Sequence, residues 1–285
     1  MEMIGIIGGD QRQVYVCRFL REQGRKTADI FLPGSVREET EEQLWEVWDA
    51  CQYLLLPVPA FRSGILNLQT GHRIEEGQIV RHMKPGQCLF GGCFSKEFQK
   101  QLEERGGSAY DLMRCEHVIT ENAAVTAEGA IAEAVMRSSV AFRGSVCILT
   151  GYGRCGSALH RSLKNWGCRL MVYDCEKNAC ERAKKAGAVV CSREMLVKAA
   201  EKAAFIFNTA PSLVWTDELL QRISPDACFL ELASAPGGVD LEAAERQEVR
   251  IQKLPGLPGK TAPCTAGRVL GEELLREIEK REKRK

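Results

Sequence analysis

The feature that most restricts this chain is a glycine spacing, Gly151-Tyr152-Gly153-Arg154-Cys155-Gly156. A G-x-G-x-x-G run on its own says little, because glycine-rich turns are common. Here an apolar run at residues 145–149 precedes it, and Ala158, Leu159, Leu163 and Trp166 follow at helical spacing. That order fits a strand–turn–helix unit. In such a unit the first glycine permits the tight turn and the second lets backbone approach a pyrophosphate. The third lets the helix pack closely on the strand, and the helix N-terminus offers N–H groups to the anion. Asp174 stands 23 residues beyond Gly151, at the end of the next apolar run, where an acid is placed to bind adenine-ribose hydroxyls. The expected ligand is a nicotinamide dinucleotide held by Gly151, Gly153, Arg154, Cys155, Gly156 and Asp174. Asp174 favours NAD, since a carboxylate repels a 2′-phosphate. Arg154, Lys177 and Arg182 could offset it and admit NADP.

The rest of the chain alternates in the same way. Short apolar runs at residues 3–7, 29–32, 53–56, 88–90 and 109–112 read as strands, and a helix is expected from the Gly8-Gly9-Asp10 turn to about Gln23. Residues 71–86 are polar and glycine-rich and read as a loop or short turn; residues 117–120 read as a further β-like run. An alanine-rich helix is expected over 121–142. Strands then recur at 145–149, 168–173, 188–190, 203–207, 228–232 and 249–251, with helices at 154–166, 176–186, 193–200 and 262–280. Repeated strand–helix alternation implies parallel sheets with helices on both faces. The expected fold is α/β: two doubly wound parallel-sheet domains, the second a Rossmann dinucleotide-binding domain, arranged as in 2-hydroxy-acid dehydrogenases. The expected division is a substrate domain over 1–120, a linking helix over 121–143, a Rossmann domain over 144–255, and a C-terminal loop and helix over 256–285 that packs back on the first domain.

Composition narrows the function classes. A length of 285 residues suits two domains, each with its own core. Lys plus Arg is 39 against 38 for Asp plus Glu, so no basic surplus points to nucleic acid. The basic run Arg281-Glu282-Lys283-Arg284-Lys285 reads as a solvated helix end. No apolar run approaches the roughly 18 residues of a membrane span, and the N-terminus lacks the basic region of a secretory signal. The 13 cysteines include no C-x-x-C pair, so neither a zinc site nor a disulfide framework is expected. They read as reduced thiols used as small core hydrophobes in a cytoplasmic protein.

Two further segments end strands of the second domain. Asn208-Thr209-Ala210-Pro211 follows one, and Glu231-Leu232-Ala233-Ser234-Ala235-Pro236-Gly237-Gly238 ends the next. Ligands lie at carboxyl ends of strands in open α/β sheets, so Asn208, Thr209, Pro211 and Ala233 are expected near the cofactor. The same residue types also make ordinary turns. A hydroxy-acid dehydrogenase would want a histidine base, yet the four histidines, His72, His82, His117 and His160, are poorly placed for one. The Gly8-Gly9-Asp10-Gln11-Arg12 turn could receive a carboxylate, and Leu254–Thr261 could form a second such site. Each is equally a stiff turn.

Taken together, Gly8-Gly9-Asp10-x-Arg12, Leu56-Pro57-Val58, Asn122-x-x-x-Thr126-x-Glu128-Gly129 and the fingerprint at Gly151 resemble a known family. Asn208-Thr209-x-Pro211-Ser212, Leu232-Ala233-Ser234-x-Pro236-Gly237-Gly238-x-Asp240 and the run from Pro255 to Gly267 carry the same resemblance. The family is the dipicolinate synthase A subunits of spore-forming bacteria, and the resemblance covers nearly the whole chain.

The resemblance implies an NAD(P)-dependent oxidation of a dihydrodipicolinate-type intermediate of lysine biosynthesis to dipicolinate, in the mother-cell cytoplasm during sporulation. It implies the flavoprotein-like B subunit of dipicolinate synthase as partner, a dicarboxylate substrate, and NADP where Asp174 favours NAD. A homo-oligomer is expected, with no nucleic-acid or membrane partner. On this reading the substrate lies in the cleft between the domains. Gly8, Gly9 and Arg12 hold one carboxylate, while Asn122, Thr126 and Glu128 face the cleft, with Glu128 moving the proton. Ser234 and Thr265 position the ring or the second carboxylate. Two alternatives stay open: a non-catalytic dinucleotide-binding scaffold or regulatory component, and a different amino- or hydroxy-acid dehydrogenase.

Overall fold

The computed structural model describes residues 2–36 and 38–284. Met1 and Lys285, the ends of the first and last expected segments, lie outside the described residues. The chain divides into two units, Met1–Asn122 with Pro258–Lys285, and Ala123–Leu257.

The first unit opens with β1 (Ile4–Ile7), α1 (Gln11–Glu22), β2 (Thr27–Ile30), α2 (Glu41–Ala50) and β3 (Tyr53–Leu55). A small antiparallel hairpin, β4 (Phe61–Arg62) and β5 (Ile65–Leu66), leads to α3 (Glu76–His82). Then come β6 (Cys88–Gly91), α4 (Lys96–Glu104), β7 (Ser108–Asp111) and α5 (Glu116–Arg137). The sheet order is β2-β1-β3-β6-β7, every pair parallel. Counting only these five strands in chain order, this is the flavodoxin-like 2-1-3-4-5 winding, whose strand order reverses between β1 and β3.

The second unit contains β8 (Val146–Thr150), α6 (Arg154–Leu163), β9 (Arg169–Tyr173), α7 (Lys177–Lys185), β10 (Val189–Val190) and α8 (Arg193–Ala200). It continues with β11 (Ala203–Asn208), α9 (Asp217–Leu220), β12 (Cys228–Glu231), α10 (Leu241–Arg246) and β13 (Ile251–Lys253). The order β10-β9-β8-β11-β12-β13, all parallel, is the Rossmann 3-2-1-4-5-6 winding. After α11 (Leu257–Thr261), α12 (Pro263–Glu282) lies on α1. A Cβ at Gly267 would sit 2.8 Å from the Tyr15 side chain, and Leu270, Leu274 and Ile278 join Val16 and Leu20 in one core.

The apolar runs explain why both sheets are covered on each face. Along Tyr53-Leu54-Leu55-Leu56 the side chains alternate between two separate buried clusters. Cys147-Ile148-Leu149 and Phe205-Ile206-Phe207 alternate likewise in the second unit. A strand buried on both faces must be apolar at every position, which is what parallel sheets require. Five cysteines, Cys17, Cys51, Cys88, Cys147 and Cys191, are buried in these layers, and all thirteen are free.

Three local expectations are corrected. Residues 71–86 are not simply a loop, because α3 lies within them. Its one fully buried side chain is Ile79, too little to print a helical period, and its end is held from α2 by Trp48 Nε1 donating to the His82 carbonyl at 3.0 Å. Residues 117–120 are not a strand but the first turn of α5. The β-branched residues mislead there, since Ile119 N donates to the Cys115 carbonyl at 3.0 Å and Val118 is buried. That helix also stops at Arg137, not Phe142. Phe142 stacks on Phe205 at 3.9 Å instead. Helices α2 and α4 had no expected counterpart, although Thr40 with Gln43 and Ser95 with Phe98 N are ordinary N-caps.

Candidate functional site

The Gly151–Gly156 turn joins the carboxyl end of β8 to the N-terminus of α6, beside the point where the strand order reverses. Its three glycines meet different demands. Gly151 has φ +89°, and a Cβ there would sit 2.6 Å from Ala210 N and from Thr209 Oγ1. A Cβ at Gly156 would overlap the Gly151 carbonyl. Both are imposed by the protein's own packing. At Gly153, the N-cap of α6, a Cβ would meet nothing within 4 Å, so this glycine keeps open space at the helix N-terminus. That is the place a pyrophosphate occupies in such a turn, and the residues present fit a dinucleotide.

Asp174 follows β9, and both its oxygens accept backbone N–H groups: Oδ2 from Tyr152 at 2.6 Å and Oδ1 from Glu176 at 2.8 Å. The acid therefore shapes the glycine turn itself. Each oxygen retains a second lone pair for a ribose hydroxyl. Beside the turn, a depression of about 420 Å³ is lined by Tyr152, Gly153, Ser157 and the arginines Arg154, Arg161 and Arg182. Cys155 is half-buried, and burial pushes its thiol pKa up. Beneath the turn, Tyr152 and His160 are both buried, with the phenol 2.9 Å from His160 Nδ1. Burial holds the imidazole below its ordinary pKa, aided by Lys164 and Arg161. A neutral ring accepting from the phenol on Nδ1 carries its proton on Nε2.

Asn208 and Thr209 do not present their side chains as the sequence suggests. Asn208 is fully buried. Its Oδ1 accepts from Thr150 Oγ1 at 2.6 Å, and its Nδ2 reaches the Ala210 carbonyl at 3.0 Å and both Glu231 oxygens at 2.9 Å. Direct contact with a cofactor is thereby ruled out for the Asn208 side chain in this structure, because no surface of it is left. Thr209 Oγ1 donates toward the Thr150 and Gly151 carbonyls, both at 3.1 Å, and so secures the glycine turn. Pro211 is exposed and Ala233 half-buried; Ala233 N donates to Glu231 at 2.8 Å. Ser234 is exposed on the same loop.

Thr150 and Trp215 carried no sequence expectation, and Glu231 only as the first residue of its strand-end segment. Trp215 Nε1 donates to Thr150 Oγ1 at 3.0 Å, extending the chain Trp215–Thr150–Asn208–Glu231. The signal available in the sequence was an acid closing the apolar run Cys228-Phe229-Leu230-Glu231.

In α5, Asn122 and Thr126 lie four residues apart and share a face, whereas Glu128, two residues further, points to the opposite side and is exposed. The structure thus does not bring these three together on one surface. In the first unit, Gly8 and Gly9 are buried at the carboxyl end of β1. Arg12 is buried and already committed: Nε is 2.9 Å and Nη2 2.8 Å from the Asp10 carboxylate, and Nη2 also bonds the Val58 carbonyl. Asp10 in turn caps α1 together with Gln13. The turn that was to receive a carboxylate holds its own. The Pro258-Gly259 segment folds against it, since a Cβ at Gly259 would overlap the Asp10 carboxylate. Thr265 is exposed on α12. Among the described residues, no group of three or more His, Cys, Asp or Glu is placed to hold a metal, and no helix is long and apolar enough to cross a membrane.

Comparison with known proteins places this geometry. Residues 3–113 match the family described as the N-terminal domain of the dipicolinate synthase A subunit. The dipicolinate synthase A subunit of Bacillus subtilis (strain 168) is 28% identical over 295 residues, covering 98% of this chain and 97% of that protein. The crystal structure of the dipicolinate synthase A subunit from Bacillus halodurans superposes with TM-score 0.82 at 24% identity, covering 97% of each chain. D-lactate dehydrogenase from Escherichia coli shares the fold at TM-score 0.64 and 14% identity, over 99% of this chain and 97% of that one. The chain resembles the dipicolinate synthase A subunits along its length and has the fold of Rossmann dehydrogenases.

Proposed function

We propose that this chain is the dehydrogenase component of a dipicolinate-forming enzyme. It oxidises a dihydrodipicolinate-type dicarboxylate, an intermediate of the lysine pathway, in the mother-cell cytoplasm during sporulation. Its partner is the flavoprotein-like B subunit, and the chain forms a homo-oligomer. The observation that carries this reading is the contrast within the glycine turn: Gly151 and Gly156 are filled by protein, and Gly153 faces open space at a helix N-terminus. When bound there, a nicotinamide dinucleotide supplies the hydride acceptor. The dihydropyridine ring gives up one hydride and one proton, and the gain of aromaticity drives the step. This removes the need for a strong histidine base; His160, beneath the turn, is buried and bonded to Tyr152.

The chain's own residues do the holding. Gly153 and the α6 N-terminus receive the pyrophosphate, and Asp174 accepts from the adenine ribose. Thr209 and Glu231 fix the loops that would line the nicotinamide. Asp174 favours NAD. The arginines Arg154, Arg161 and Arg182 around the depression favour a second reading, NADP, because they would neutralise a 2′-phosphate. Glu128, on the face of α5 opposite Asn122 and Thr126, is kept only as the candidate for proton transfer.

The test is to incubate the purified chain, with and without the B subunit, with the dihydro-intermediate and NAD or NADP, and to follow dipicolinate absorbance. Dipicolinate formation that requires an intact Gly153 supports the proposal. Dinucleotide binding without turnover in any pairing points instead to a non-catalytic scaffold.

A further inference from the structure

Thr150, Asn208 and Glu231 are the last residues of three neighbouring strands, β8, β11 and β12, and they stand in register as a row at the carboxyl edge of the sheet. The row is buried throughout, Glu231 being 5% exposed. Every group on the Glu231 carboxylate is a donor: Asn208 Nδ2, Ala233 N and, at 3.4 Å, Gly238 N. Burial pushes the carboxyl pKa up, and these three donors oppose the rise. A protonated acid would need an acceptor for its own hydrogen, and these contacts offer none, so the geometry is that of an ionised carboxylate. No salt bridge reaches it among the described residues. The neighbouring cation is Lys253, its register partner on β13, and that residue is exposed.

A buried charge without an ion partner is costly to keep. The bonds it makes account for part of its role: they tie the loop at residues 233–238 to Asn208, so that the ends of β11 and β12 form one rigid floor. A glutamine could answer only part of this set, since its amide nitrogen would meet donors on one side. An acid supplies two acceptor oxygens and, beyond them, a charge. In a sheet of this winding, ligands lie outside the carboxyl ends beside the reversal at β8 and β11, above this row.

We propose that Glu231 is a positioning residue whose buried negative charge makes the second unit favour the oxidised, cationic nicotinamide ring over the reduced, neutral one. This rests on the dinucleotide reading above. The preference favours uptake of the oxidised cofactor in the presence of its own reduced product.

The test uses binding to the full chain, with oxidised and reduced dinucleotide titrated separately by calorimetry. Glu231→Gln removes the charge and should reduce the preference for the oxidised form on the order of three- to fifteen-fold, the scale of a unit charge acting through protein at an effective dielectric of about 20. Glu231→Asp keeps the charge and should retain the preference. Lys253→Met, at an exposed position of β13, removes an opposing cation and should raise the preference about two-fold. It decides the matter if Glu231→Gln does not fold. An unchanged ratio of the two dissociation constants in the charge-removing variants overturns the proposal while leaving dinucleotide binding intact. Failure of the wild-type chain to bind either form overturns both.

Discussion

Asn208 and Glu231 face each other at the last paired position of β11 and β12, with the Asn208 amide nitrogen 2.9 Å from both carboxylate oxygens. The pair joins two loops that are more than twenty residues apart in sequence. It also converts an asparagine expected to touch cofactor into an internal strut. Replacing Asn208 by Leu strands the Glu231 carboxylate and the Thr150 hydroxyl in the core. The loss should be about 1.5–3 kcal/mol of unfolding free energy, the range for a hydrogen bond to a charged group. Denaturant unfolding measures it, and a loss well under 1 kcal/mol would contradict the network.

The glycine turn predicts a separation of stability from binding. Gly153→Ala adds a methyl that meets no protein atom, so unfolding free energy should fall by less than about 1 kcal/mol, mostly a capping effect. Dinucleotide affinity should nevertheless drop sharply. Gly156→Ala forces overlap with the Gly151 carbonyl and should cost about 1–3 kcal/mol whether or not ligand is present. Thermal unfolding and calorimetric titration of the two variants side by side check the contrast.

Asp174 shapes the turn and is proposed to set cofactor choice, so its alanine variant would confound the two. Asp174→Asn keeps an acceptor for Tyr152 N while removing the charge. Its ratio of NADP to NAD affinity should rise by about tenfold, the equivalent of roughly 1.4 kcal/mol. An unchanged ratio would show that the acid does not select the dinucleotide.

Arg12 is spent on Asp10 and Val58 within its own unit. Arg12→Ala should therefore lower the stability of the chain by about 1.5–3 kcal/mol, the range for a bond to a charged group. Arg12→Lys should restore only part of it, because one ammonium cannot reproduce the guanidinium fork. Denaturant unfolding of both variants measures the loss. A fully stable Arg12→Ala chain with lost substrate use would return the residue to the role of carboxylate receptor.

His160 predicts a dependence on pH. Its folded pKa lies below the ordinary 6.5 because the ring is buried and two cations stand near it. Above 6.5 the ring is neutral in folded and unfolded chains alike. Below 6.5 the unfolded chain takes up a proton that the folded one resists, so stability falls as the pH drops from 6.5 towards the lowered folded value. His160→Gln keeps an acceptor for the Tyr152 phenol and cannot be protonated. It should lose less stability than wild type between pH 8 and pH 5.5 in parallel denaturant titrations.

The short-range features of this protein were legible in its sequence. Fully apolar runs at Cys147–Leu149 and Phe205–Phe207 reveal strands buried on both faces, because a parallel sheet leaves no face for polar side chains. The spacing of Gly151 and Gly156 reveals the turn, because only glycine tolerates the backbone of the first and the close approaches of both. These constraints act within a few residues and so leave a local trace. Hydrogen-bond partners are chosen across the fold and leave none. The sequence could not show that Arg12 is answered by the neighbouring Asp10 and by Val58, or that Glu231 is met by Asn208. It also could not show that α3 exists to cover a core reached from α2. Only the tertiary structure decided which polar residues face a ligand and which face each other. A buried donor or acceptor must be paired, and its partner can lie anywhere in the chain.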